Sequence, residues 1–321
     1  MNSAMRCAAW VVIASLLAGM SFAQTYPSKP IRLIVGFPPG GGNDVVARLV
    51  GAKMQEAWGQ PVVVDNKPGG NSIIATEFVA KSAPDGYTLL VNANGGMTIN
   101  PLIYAKLPYD SQRDFVPIST VGIFPMLFVI NPSIPAGSLQ EFIAYARVNR
   151  GKLNYSAGST AFHVATEMFK QITGTDIRHV PYKGSAQSVQ AVLAGDTQMT
   201  LVDSTAAVPL VKSGRLKALA VTSAQRVGSM PELPTMSEAG APGYEMTLWV
   251  SFFAPAGTPG AIVSKLNAEI VRIVHLPDIQ EKLLASGVEP LGNSSEQLAA
   301  MISSEIARYR PVVQAANIKV D

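Results

Sequence analysis

The sequence predicts an α/β protein of two lobes, joined by two crossing segments, with a ligand cleft between them. Three observations carry that expectation. Short β-branched runs alternate with amphipathic helical stretches along most of the 321 residues, the pattern of helices packed on a mostly parallel sheet. The strand–helix units fall into two groups, one before about residue 122 and one over roughly 123–223, and the remainder is poor in strands. Such a remainder makes a poor third domain and is expected to return to the first group. Finally, three strand-to-helix turns rich in small residues are shared between the two groups.

In order along the chain, Ile31–Phe37 reads as a first strand, and Asp44 can cap a helix whose Val45, Val46, Leu49, Val50 and Met54 fall at helical spacing. Val62–Val64 reads as a second strand buried on both faces, followed by a helix over about 72–81. Pro84-Asp85-Gly86 supplies the turn before a third strand, Thr88–Val91. Val116–Val121 and Met126–Ile130 are apolar strands interrupted by Pro125, and Ser138 with Glu141 forms a capping box for a helix ending near Asn149. Strands near 153–156, 177–180 and 199–202 each lead into a helix, and Ala218–Val221 closes the second group. A polar, Pro-rich passage over 222–242 precedes a strand at Trp249–Ala254, and the tail from Pro259 is helical, with a cap near 293–295. The first lobe is then expected over 24–122 plus 224–321 and the second over 123–223. Crossings near Val121–Gly122 and Thr222–Ser223 would suit hinge closure around a ligand.

Residues 1–23 read as a secretory signal peptide. Arg6 is followed by an apolar run of 14 residues from Cys7 to Met20, then Ser21-Phe22-Ala23. That run is shorter than the ~20 residues of a membrane-spanning helix. Cleavage after Ala23 would remove Cys7, the only cysteine, and with it any disulfide, thiolate nucleophile or cysteine-bound metal. With 25 basic and 22 acidic residues the formal charge is only +3, which argues against a nucleic-acid partner. A periplasmic, monomeric protein that does not itself span the membrane is expected.

The three turns hold most of the candidate binding residues. The first offers Phe37, Pro39, Gly40, Gly41, Gly42 and Asn43, the second Lys67, Gly69, Gly70 and Asn71, and the third Gly158, Ser159, Thr160 and His163. Backbone N–H groups at such turns face outward, and the helix dipole adds partial positive charge, so an anion can bind there. One glycine-rich turn alone is explained by turn geometry; three, spread over both lobes, point to a shared pocket. Asp203 ends a strand and can face the same space, and Lys183 can meet a carboxylate. Each has a plainer reading: Asp203 as a helix cap, His163 as a packing or capping residue, Lys67 and Lys183 as solvated surface lysines.

No cofactor, metal or catalytic residue is expected. Pro38 and Pro39 stand where a dinucleotide turn needs Gly-x-Gly, and no Gly-Lys-Ser/Thr phosphate loop occurs. His179 and His275 have no carboxylate or second histidine at metal-ligand spacing. An exported hydrolase using Ser159, His163 and Asp203 is a rival reading, but no Gly-x-Ser-x-Gly elbow supports it.

The residues also resemble a family. Tyr26-Pro27-Ser28-Lys29-Pro30-Ile31-Arg32, Phe37-Pro38-Pro39-Gly40-Gly41 and Asp44 with Ala47-Arg48 are similar to the start of the Bug (TctC-like) receptors of tripartite tricarboxylate transporters. The likeness continues through Gly59–Gly69, Pro84–Leu89, Asn100-Pro101, Val180–Gly184, Gly214–Thr222 and Ala254–Pro259. It implies a type II periplasmic-binding-protein fold and a small carboxylate ligand held largely by backbone groups. It also implies delivery to integral membrane permease subunits; presentation to a membrane sensor kinase is the alternative. The matching turns are Pro39–Asn43, Lys67–Asn71 and Gly158–His163. Gly36, Asn71-Ser72-Ile73-Ile74, Asn94-Gly95-Gly96 and Asp203-Ser204-Thr205 depart from the family pattern and are candidates for the distal pocket, Asn94 among them, so ligand preferences common in the family do not carry over.

Overall fold

The computed structural model describes residues 26–228 and 230–320; the leader expected at 1–23 lies outside them. The first group of elements is β1 (Ile31–Val35), α1 (Gly42–Trp58), β2 (Val62–Asn66), α2 (Ile73–Ala80), β3 (Thr88–Ala93), a π-helical turn at Gly95–Ile99, the short α3 (Asn100–Ile103) and β4 (Phe115–Phe124). The second group is β5 (Met126–Ile130), α4 (Leu139–Val148), β6 (Leu153–Ala157), α5 (Thr160–Thr173), β7 (Ile177–Pro181), α6 (Ser185–Ala194), β8 (Met199–Asp203), α7 (Ser204–Lys212) and β9 (Lys217–Val221). β10 (Leu248–Pro255), α8 (Gly260–Val274), α9 (Pro277–Ala285), β11 (Glu289–Pro290) and α10 (Ser295–Ala315) follow.

These elements build two mixed sheets and two lobes. The first sheet runs β11-β4-β10-β3-β1-β2 and the second β7-β6-β8-β5-β9. β1 pairs in parallel with both β2 and β3, as βα crossovers require. β10, returning after the second group, slots antiparallel between β3 and β4. Its last seven residues are all buried, which is why so apolar a run belongs at a sheet centre. β2 is different. The sequence reads Val62–Val64 as buried on both faces, but β2 is an edge strand and Val63 is 51% exposed. A short apolar run carries no information about how many neighbours it has.

Passage between the sheets is abrupt in one direction and long in the other. Pro125 alone separates β4 from β5, and without an N–H it cannot extend either ladder. The return, residues 222–247, is irregular but anchored. Met236 and Met246 donate their amides to the Val221 and Thr222 carbonyls at 2.8 and 3.0 Å. Met230, Met236, Tyr244 and Met246 are buried in the core of the second sheet.

α10 adds a further tie. A capping box of Ser294 and Gln297 starts it. Its first half buries Leu298, Ile302 and Ile306 beside Trp249 and Met97 of the first lobe. Its second half puts Tyr309, Val312 and Val313 into the core of the second. Burying a large aliphatic side chain stabilises by about 1.5–3 kcal/mol, so the helix is held firmly on both sides of the seam.

Candidate functional site: a cavity between the lobes

A cavity of about 560 Å³ opens where strands from both sheets end. The first lobe contributes the turn before α1 (Phe37, Gly40–Asn43), Asn71, and the end of β3 with its π-helical turn (Ala93, Asn94, Gly95). Phe124, Leu248 and Trp249 supply apolar wall beside the crossings, and Ser286 comes from the loop after α9. The second lobe contributes Ser159, Ala161, Asp203 and Thr205. Residues capping three helices therefore meet in one space: Gly41 of α1, Ser159 of α5 and Asp203 of α7.

The α1 turn is braced from behind. Gly41 has no side chain to cap the helix, and the first-turn amides of Gly42 and Asn43 have no acceptor among the described residues. Asp44, instead of capping α1, lies inside its first turn and reaches back to the Gly40 amide at 2.9 Å. Its carboxylate also accepts from Arg48 and from Asn66, whose amide holds the Phe37 carbonyl at 3.1 Å. Burial pushes the Asp44 pKa up, but hydrogen bonds from Arg48, Gly40 and Asn66 outweigh it, and the net shift is down. A buried negative charge thus fixes the turn from inside and leaves its outer amides free.

The other turns are pinned in their own ways. Asn71 sits at φ 50° and donates to Asn100, whose amide returns a bond to the Asn71 carbonyl. Asn94 donates to the Thr247 carbonyl at 3.1 Å, tying β3 to the strand that returns beside it. Ser159 accepts from the Phe162 amide as an N-cap. Asp203 caps α7 through Ala206 and also takes the hydroxyls of Ser185 and Thr205.

Eight residues singled out in the sequence are not on the wall: Pro39, Lys67, Gly69, Gly70, Gly158, Thr160, His163 and Lys183. Lys67 pairs with Asp65 at 3.5 Å and lies over the Phe78 ring. Gly69 and Gly70 take positive φ, which glycine adopts without steric cost. A Cβ at Gly158 would collide with the Gly184 carbonyl, so that glycine lets two turns of the second lobe touch. His163 stacks on His179 with ring centroids 3.8 Å apart. Burial, then the neighbouring imidazole, pushes the His163 pKa down to about 4. Lys183 donates its backbone amide to the Gln187 side chain. Conversely, Val45, Ala93, Gly95, Phe124, Ala161, Thr205, Leu248, Trp249 and Ser286 line the cavity without having been singled out. Ala161, Gly95 and Thr205 adjoin residues that were; Phe124, Trp249 and Ser286 arrive from distant segments, and no local signal marks them.

A second buried carboxylate lies behind this wall. Glu305 of α10 accepts from the Trp249 indole at 3.0 Å and from the Thr98 hydroxyl at 3.0 Å. Thr98 also lies 2.9 Å from the Asn94 carbonyl. Burial pushes the Glu305 pKa up to about 7 despite those two bonds.

The wall carries no Lys, Arg or His, and Asp203 is its single charged side chain. The donors this wall offers an anion are therefore uncharged: helix amides, asparagine side chains and the Ser159 hydroxyl. Ser159 is occupied as a cap, and His163 is turned to His179, so the pair is not arranged as nucleophile and base. Among the described residues no cluster of His, Cys, Asp or Glu could hold a metal ion, and no helix is long and apolar enough to cross a membrane.

Two α/β lobes closing over a shared cavity define a solute-binding protein of the periplasmic-binding-protein type. Residues 46–318 match the family model of the tripartite tricarboxylate transporter family receptor, and the chain belongs to that family. It is a receptor, not an enzyme. Among solved structures it is similar to Rpa4515 of R. palustris with adipate, at 36% identity and a TM-score of 0.78, covering 92% of this chain and 99% of that one. The periplasmic binding protein BugD is 31% identical, with a TM-score of 0.73 over 92% of this chain and 99% of that one. MatC (Rpa3494) from Rhodopseudomonas palustris, with bound malate, is 31% identical, with a TM-score of 0.73 over 90% of this chain and all of that one.

Proposed function

We propose that this receptor works in the periplasm, capturing one small organic carboxylate in the cavity and delivering it to integral membrane permease subunits. The carrying observation is the α1 turn, where first-turn amides without acceptors among the described residues line a cavity whose opposite wall belongs to the other lobe. A hydrogen bond to a charged group contributes about 1.5–3 kcal/mol. Three or four, less the ordering they impose, reach the ~8 kcal/mol of micromolar binding. Adipate and malate, present in the structures of Rpa4515 and MatC, are acids of suitable size. The apolar part of the wall, from Phe37, Phe124, Leu248 and Trp249, favours a ligand with hydrocarbon beyond its carboxylate. The periplasmic placement rests on the expected leader and on the likeness to BugD. The lobes then divide near the two passages between sheets, and the protein acts as a monomer.

The test is a thermal-shift screen of the mature protein against mono-, di- and tricarboxylates, amino acids and aromatic acids. A ligand at 100 times its dissociation constant stabilises by about 2.7 kcal/mol, a readable shift. Gly41→Leu and Ser159→Leu are each expected to abolish it. A screen without a single shift rejects the carboxylate reading. Full affinity in both variants moves the binding site elsewhere.

A further inference from the structure

Glu305 is a buried titratable group that the capture of a ligand leaves unused. Its carboxylate, on a residue only 3% exposed, lies behind two residues of the cavity wall. Trp249 donates to one oxygen directly. The other oxygen reaches Asn94 through Thr98, and there the hydrogens do not balance. The Thr98 hydroxyl has a single hydrogen and two acceptors in reach, Glu305 Oε2 at 3.0 Å and the Asn94 carbonyl at 2.9 Å. When Glu305 is ionised, the Thr98 hydrogen serves only one of the two at a time, and the Asn94 carbonyl keeps the backbone bond of the π-helical turn. When it is neutral, its own O–H donates to Thr98 and the Thr98 hydrogen turns to Asn94, so that every contact is filled.

We propose that Glu305 is a positioning residue for capture: an anionic ligand enters together with one proton from solvent, which binds Glu305 Oε2 and turns the Thr98 hydroxyl onto Asn94. The inference rests on the carboxylate reading of the cavity. Its physical basis is that an anion at the wall and an ionised carboxylate behind it repel each other, and low polarity between them strengthens the repulsion.

Burial favours the neutral form, against the bonds from Trp249 and Thr98, which draw the pKa down. Trp249 and Thr98, from β10 and the π-helical turn, are uncharged. On the same helix, Arg308 draws the pKa down but is engaged by Glu245 at 3.0 Å, and Glu245 pushes it up. Burial holds the phenols of Tyr309 and Tyr244 in the neutral form. On α5, Glu167 and Lys170 bond to each other at 2.7 Å. Burial thus dominates and brings the titration near pH 7.

Calorimetry with adipate, malate and any acid found by the screen, from pH 6 to 8.5 in two buffers of different ionisation enthalpy, reads proton uptake directly. The wild-type protein is expected to take up a fraction of one proton per ligand, and its affinity to fall by up to about tenfold per pH unit in the alkaline range. Glu305→Gln, which keeps an acceptor for Trp249 and a donor for Thr98, is expected to show no proton uptake at this site and a flat pH profile. Thr98→Val is expected to keep the Glu305 titration but weaken its effect on affinity. Equal proton uptake in wild type and Glu305→Gln overturns the proposal, as does affinity independent of pH in the wild type. If no acid binds at any pH, the carboxylate reading itself falls and takes this inference with it.

Discussion

Asp44 shows how much of the cavity depends on groups that never touch its space. Three donors converge on its carboxylate, and one of them, Asn66, also holds the Phe37 carbonyl. Asp44→Ala leaves the Gly40 amide and the Asn66 side chain without their acceptor; a loss of about 2–3 kcal/mol is expected in urea unfolding at pH 7. Because its folded pKa is lowered, the contribution is present above the ordinary aspartate value of 3.8 and disappears as pH falls below it. Acid titration of the melting temperature should show this increment in wild type and not in the variant. Glu305 has the opposite sign. Its pKa rises from 4.5 to about 7 on folding, so stability from the neutral group is complete below 4.5 and lost as pH climbs to about 7. Glu305→Gln is therefore expected to gain on the wild type as pH rises through that window, measured by melting temperature. Neither role can be read from the sequence. Asp44 looks like a helix cap, and nothing in the helical tail marks Glu305, because burial is set by what packs over a residue.

At the scale of elements, the starts of helices do the positioning, and small residues there answer to different demands. Gly42 has room for no side chain: a Cβ would come within 2.8 Å of the Phe124 ring at the crossing between sheets. Gly42→Ala is expected to push α1 from that ring and weaken ligand binding at least tenfold, with little change in melting temperature, as read by calorimetry. Gly158→Ala meets backbone rather than a movable ring, so its expected effect is on stability, a loss of about 1–3 kcal/mol, checked by urea unfolding. The strand-to-helix turns were legible in the sequence because glycine, proline and capping residues leave a local mark. Which face of each turn looks into the cavity was not, since Gly41 and Gly158 read alike before their neighbours are known.

For the whole molecule the central feature is that α10 belongs to both lobes. Trp249 and Ile302 sit with its first half, and Tyr309 and Val313 bury its second half in the other core. Tyr309 is fully buried, and its hydroxyl has no hydrogen-bond partner among the described residues. Tyr309→Phe should then cost less than about 1 kcal/mol, whereas Tyr309→Ala should cost about 3–5 kcal/mol. The alanine variant is expected to lower unfolding of both lobes together, visible as coincident transitions by tryptophan fluorescence and far-ultraviolet circular dichroism.

What the sequence determined by itself is local or periodic in origin. The alternation of strands and helices, the cap at Ser294, the small-residue turns and the chain-long family likeness are all written within short windows, where hydrophobic period and turn chemistry act. What only the tertiary structure decided involves partners far apart in the chain: β2 at an edge, β10 at a sheet centre, Phe124, Trp249 and Ser286 on one wall, and Glu305 behind it. Those depend on which surfaces exclude water together, and that is a property of the folded chain as a whole.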